Sequence, residues 1–121
     1  MNKVVFVAFA IEDAVYRDFL KGQSLNVKSP FEYIDMSVKE AYVSEWKEKV
    51  RTRIRRSNGV VVLVSPNSLS SSGQKWEIQC AKDEGKPILA IRCRPEDRTA
   101  IPGLTVVGWT WDNITSFIDR I

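Results

Sequence analysis

The hydrophobic pattern switches between two periods along the 121 residues. Short β-branched runs, apolar at nearly every position, alternate with stretches whose apolar residues recur three and four apart. These are the signatures of buried strands and amphipathic helices. Lys3-Val4-Val5-Phe6-Val7-Ala8-Phe9 predicts a central strand, and Ala10 to Asp13 the turn after it, with Asp13 placed to cap a helix. In that helix Val15, Phe19 and Leu20 share the predicted apolar face, and Gly22 stops it. Gln23 to Pro30 reads as a polar loop, and Phe31 to Asp35 as a shorter, alternating strand nearer a sheet edge. Ser37 and Glu40 have capping-box spacing. The next main helix starts at Ser44, with Trp46, Val50 and Ile54 in one stripe and Val43 before it.

Ser57-Asn58-Gly59 turns the chain into Val60 to Val64, part of the most apolar run in the protein. That strand empties into a polar, serine-rich loop beginning Ser65-Pro66-Asn67. A third helix is predicted from about Gln74 to Glu84, stopped by Gly85 and Pro87. Ile88 to Ile91 predicts a fourth strand, Pro95 to Gly103 a surface loop, and Thr105 to Trp109 a fifth strand. Ile114, Phe117, Ile118 and Ile121 form the apolar stripe of a last helix. Such alternation implies an α/β fold with helices on both faces of a parallel sheet. The expected architecture is a single flavodoxin-like, doubly wound domain over residues 1–121, five strands in the order 2-1-3-4-5. In that topology the ligand crevice lies at the carboxyl ends of the first and third strands. Phe9-Ala10-Ile11 and Ser65-Pro66-Asn67 then flank one cleft.

Composition narrows the chemistry. The chain contains no histidine, which excludes Ser-His-Asp and Cys-His nucleophile systems and argues against a zinc site, so no metal is expected. Cys80 and Cys93 make neither a disulfide framework nor a metal motif. No apolar run is long enough for a bilayer, and the first residues do not resemble a signal peptide; a cytoplasmic protein without membrane contact is expected. The net charge of +3 owes much to Arg51, Arg53, Arg55 and Arg56. These close a helix whose first turn carries Glu45 and Glu48, as a helix dipole favours, and they lack interleaved exposed aromatics. A solvated helix end is the expectation, not a nucleic-acid surface. Dinucleotide and triphosphate glycine loops are absent, as is the nucleophile elbow, and Ser65 stands where a phosphoacceptor aspartate would end the third strand.

One carboxylate stands out. On a wheel with Trp76 at zero, Cys80 falls at about 40°, Ala81 at about 140° and Ile78 at about 200°. Glu77, at about 100°, lies in the middle of that apolar arc, although Glu84 shares its direction from the frayed end beside Gly85. Burying a carboxylate is costly. Two explanations remain open: stabilisation by free backbone N–H groups in a first helical turn, or a side chain aimed into the ligand crevice.

Phe6-Val7-Ala8-Phe9 followed by acidic residues, Ser65-Pro66-Asn67, the serine-rich loop, and Trp76-Glu77-Ile78-Gln79-Cys80-Ala81 together resemble a TIR domain across nearly the whole chain. Ser37-Val38-Lys39-Glu40, Ser44-Glu45-Trp46-Lys47, Lys86-Pro87-Ile88 and Trp109 through Ile114 are similar to the TIR subunit of bacterial Thoeris anti-phage systems. The resemblance implies an enzyme that takes NAD as substrate, needs no cofactor, cleaves the nicotinamide–ribose bond, and can cyclise the product into a signal for a separate effector protein. It also implies possible homo-oligomers or an activating phage component. Glu77, followed by Ile78 and then Ala81, matches the family's catalytic glutamate. Trp76 departs from the pattern, since many TIR domains carry a tryptophan four residues before that glutamate.

Substrate-lining expectations fall on Phe9, Ala10, Asp35, Ser37, Ser65 and Asn67, with plain structural alternatives for five of them: core for Phe9, capping for Asp35 and Ser37, turn chemistry for Ser65 and Asn67. Trp109 and Trp111 are expected to pack, and Cys80 to be a small buried hydrophobe. Two rival readings stay open: a non-catalytic TIR module working by homotypic association, and a nucleoside deoxyribosyltransferase-like enzyme.

Overall fold

The computed structural model describes residues 3–24, 31–34 and 46–121. Its elements are β1 (Lys3–Ala8), a 3-10 turn (Ile11–Asp13), α1 (Ala14–Ser24), β2 (Phe31–Ile34), α2 (Trp46–Arg56) and β3 (Gly59–Val64). A second 3-10 turn (Pro66–Leu69), α3 (Ser72–Asp83), β4 (Ile88–Arg92), β5 (Val106–Val107) and α4 (Trp111–Arg120) complete the order. All strand pairs are parallel, and the sheet order is β2-β1-β3-β4-β5. The strand at the edge is indeed the second, and the fifth shrinks to two paired residues.

Strand alternation sends Val5, Val7, Val61, Leu63, Leu89 and Ile91 to one face, under α1 and α4. Phe6, Ala8, Val60, Val62, Val64 and Ala90 face the other way, under α2 and α3. On α4, Ile114, Phe117 and Ile118 are buried as their spacing predicts. A Cβ on Gly59 would lie 3.0 Å from the Phe117 ring, so this glycine lets α4 sit close on the start of β3. Asn58 fixes the α2–β3 turn to β1: its side-chain oxygen accepts from Val4 N (2.9 Å) and its N–H donates to Val4 O (2.7 Å).

Two expectations about α1 fail. The helix continues past Gly22 to Ser24, and Val15 (55% exposed) and Phe19 (63% exposed) point to solvent while Leu20 is buried. The cause is Asp13, which is buried and held by partners on the β3 side, so the inward face runs through Asp13, Tyr16 and Leu20. Val15 and Phe19 are then carried to the far side by the 100° step. A third correction concerns α3, which starts at Ser72 with Ser71 as its cap, two residues earlier than predicted. Its end follows expectation. Gly85 adopts φ +68°, Lys86 N donates to Ala81 O (2.9 Å), and Gly85 N to Lys82 O (3.0 Å), the paired bonds of a Schellman stop. The Ser37–Glu40 capping spacing, the Val43 position and the Ser44 helix start lie outside the described residues.

Candidate active site

The segment after β3 is built by short polar side chains. Ser65, extended at the end of the strand, accepts from Asn67 N (3.0 Å), and its own N–H donates to Ser68 Oγ (3.1 Å); Pro66 supplies the fixed φ of a first helical position. Asp13 arrives from the neighbouring strand's turn. Its carboxylate accepts from Ser65 Oγ at 2.5 Å and from Asn67 Nδ2 at 3.0 Å. Both oxygens of a buried acid are thereby engaged, as its burial requires. The topology brings the ends of β1 and β3 together as expected, but Ser65 and Asn67 turn toward Asp13, a residue the sequence marked only as a helix cap.

Ser71 then accepts from Gln74 N (3.1 Å) and starts α3. Gln74 is fully buried, and its Nε2 donates to Leu63 O (2.7 Å) and Ala8 O (3.1 Å), one carbonyl at the end of each central strand. The inward row of α3 is Gln74, Glu77, Ile78 and Ala81, at i, i+3, i+4 and i+7 spacing, all buried. Its polar half begins where Gln74 meets the carboxyl ends of β1 and β3, and its apolar half packs on the sheet. Glu77 is 2% exposed, so its inward direction is as the wheel predicts. Its position is not a helix start. With α3 beginning at Ser72, Glu77 stands in the second turn, beyond the free N–H groups of the first, and the helix-start explanation for its burial falls.

Phe9 and Ala10 are buried at the end of β1, where Phe9 packs into the α1/α4 layer with the Arg17 guanidinium 5.2 Å from its ring. Phe9 thus lies in the layer on the other side of the sheet from α3. Asp35 and Ser37 lie outside the described residues. Two cavities open elsewhere. One of about 280 Å³ is lined by Tyr16, Phe19, Gln23, Cys93 and Trp109. The other, about 360 Å³, lies against Lys82 and Lys86, and neither is lined by Glu77. Among the described residues no three His, Cys, Asp or Glu side chains are grouped to hold a metal ion.

Trp76 points toward α2, one step round the helix from Glu77. It meets Trp46 edge-on at 5.3 Å, with the Arg51 guanidinium 5.4 Å from its ring and the Lys47 ammonium 5.9 Å from both tryptophans. Arg51 and Arg55 also reach Glu84 at the C-cap of α3, at 3.3 and 2.8 Å. The expectation of a frayed, exposed Glu84 is therefore corrected, and two of the four arginines tie α2 to the end of α3, although this helix end stays partly solvated, with the Arg55 side chain 62% exposed. Hydrogen bonding to Arg55 holds the Glu84 carboxyl below the usual range. Burial raises the Cys80 thiol and pushes Cys93 up to about 12, which makes both poor nucleophiles. Trp109 packs on Tyr16 and donates to Gln23 Oε1 (3.0 Å), and Trp111 is 38% exposed.

Comparison with known proteins agrees with this architecture. Residues 6–98 match the family model described as Thoeris protein ThsB, TIR-like domain. Among solved structures the chain is similar to the TIR domain of the Toll-related receptor TRR-2 from Hydra magnipapillata. That match has a TM-score of 0.63 at 17% identity and covers 96% of this chain and 91% of that one. At such identity the likeness speaks for the fold. A search of curated proteins returns no match. No helix among the described residues is long and apolar enough to cross a membrane.

Proposed function

Because the chain belongs to the TIR-like domain family of Thoeris protein ThsB, we propose that it cleaves the nicotinamide–ribose bond of NAD, with Glu77 as the catalytic carboxylate. The observation that carries this reading is the burial of Glu77 in the polar half of the inward row of α3. Gln74, one turn earlier in that row, is clamped to the ends of β1 and β3.

The chemistry suits one carboxylate. Nicotinamide leaves as a neutral base when the electrons of the C–N bond return to its cationic ring nitrogen, so no general acid is required. The glycosidase scheme of two carboxyl groups reduces to one. Glu77 stabilises the positive charge developing on the ribose ring and orients its hydroxyls, and a low-dielectric site strengthens that attraction. Water then attacks the ribose carbon to give ADP-ribose and a proton. Alternatively a hydroxyl of the same molecule closes the ring if water is excluded, yielding a cyclic signal for a separate effector. Because the carboxylate is closed to solvent, turnover requires an opening step, which fits an enzyme held inactive until assembly or a trigger acts.

Mass analysis of products from NAD, with and without assembly at high protein concentration, tests the reading. Nicotinamide together with ADP-ribose or a cyclic isomer is expected. No nicotinamide from concentrated protein under any assembly condition would sink it.

A second reading, a module working by homotypic association, is favoured by one feature. Ile11 on the 3-10 turn and Val15 and Phe19 on α1 are each more than half exposed, leaving apolar side chains on the surface of this segment. Association that Phe19→Asp abolishes, with no NAD cleavage by the associated protein, would select it.

A further inference from the structure

We infer that the chain carries a groove for a small phosphate ester on the α2/α3 face of the sheet, at the amino end of β4. The connection from β4 to β5 contains no helix, so the sheet there is flanked only by the last turn of α3 and the segment entering β5. A cavity of about 360 Å³ results. Ile88, Ala90 and Leu104 give it an apolar floor, Lys82 and Lys86 stand on its wall, and Thr105 adds a hydroxyl.

The two lysines identify the ligand class. Neither ammonium group makes a hydrogen bond or ion pair among the described residues, and no acidic side chain lines the cavity. Lysine ends normally extend into water. Lys82, itself exposed, passes over Gly103, whose φ is +84° and whose position would place a Cβ 3.0 Å from the ammonium. Two unneutralised cations against an apolar wall concentrate positive potential in the groove. Ammonium groups bind phosphate as point charges, and the apolar floor suits an attached ring. The volume falls at the lower end of small-ligand sites, about the size of a mononucleotide. The site is independent of Glu77 and of NAD cleavage.

The test uses the full chain and AMP as probe, measured by equilibrium dialysis at low salt. Expected are saturable AMP binding, weaker binding of inorganic phosphate, none of adenosine, and loss of about tenfold or more in a Lys82→Gln/Lys86→Gln double variant. Since neither lysine has a partner, that variant keeps its fold, which circular dichroism checks. Absence of saturable binding up to about 10 mM, equal binding by the double variant, or adenosine binding as tightly as AMP would overturn the proposal. Inorganic phosphate binding as tightly as AMP would overturn the assignment of an ester.

Discussion

Replacing Gln74 by methionine isolates the clamp that positions α3. Methionine keeps the length and volume of the side chain but cannot donate, so Ala8 O and Leu63 O each lose a hydrogen bond at the buried ends of the central strands. Among the described residues Leu63 O also has a long contact from Ser68 Oγ at 3.4 Å. An acceptor left short of a donor in the interior costs about 1–3 kcal/mol. One term runs the other way: Gln74 Oε1 is buried without a hydrogen-bond partner, and methionine removes that burden. The net expectation is a loss of about 2–4 kcal/mol, or roughly 8–16 °C in melting temperature for a domain of this size. Urea unfolding followed by tryptophan fluorescence measures it, with the midpoint falling and the slope unchanged. A loss below about 0.5 kcal/mol at the same slope would refute the view that these bonds anchor the helix carrying Glu77.

Further outcomes follow from the same contacts. Asp13→Asn gives Ser65 Oγ and Asn67 Nδ2 a poorer acceptor and should cost about 1.5–3 kcal/mol, read from the same unfolding curves; no change would mean the bridge contributes nothing. Trp76→Phe should weaken the α2–α3 contact while leaving any NAD cleavage within a few-fold of wild type. A collapse of activity at unchanged stability would give Trp76 a direct role. The carboxyl of Glu84 is held low by Arg55, so its contribution to stability is full above the ordinary carboxylate range and lost as pH falls through the lowered value. Glu84→Gln should therefore flatten part of the acid side of the stability–pH curve, and an unaltered acid limb would show the pairing to be inert. With the Cys93 thiol near 12 and Cys80 buried, iodoacetamide at pH 8 should label neither thiol in the native protein and both after unfolding, read by intact mass. Rapid native labelling would contradict the burial of Cys80 and the raised Cys93 thiol.

The strands were legible because β-branched runs such as Val60 to Val64 carry their own signal, and their alternation with helices implied the observed order. The inward direction of Glu77 was legible for a related reason. A wheel depends only on the step between neighbours, so it survived an error of two residues in the start of α3. Its place in the helix did not, since Ser71, Ser72 and Gly73 read as loop and only the Ser71 cap to Gln74 N marks the true boundary. In α1 the apolar pattern misled, because the helix is phased by buried Asp13 and not by Val15 or Phe19. A hydropathy pattern has no way to show a carboxylate whose partners, Ser65 and Asn67, lie more than fifty residues away. Gln74 escaped notice on the same ground: its two acceptors are backbone carbonyls, which no side-chain motif records.

The central claim is that Glu77 performs the chemistry, and nicotinamide release from NAD by Glu77→Gln beside wild type tests it most directly. Glutamine keeps the shape and removes the negative charge, so release should fall by about 100-fold or more while circular dichroism and melting temperature show the fold intact. Release by the variant at the wild-type rate would contradict the account.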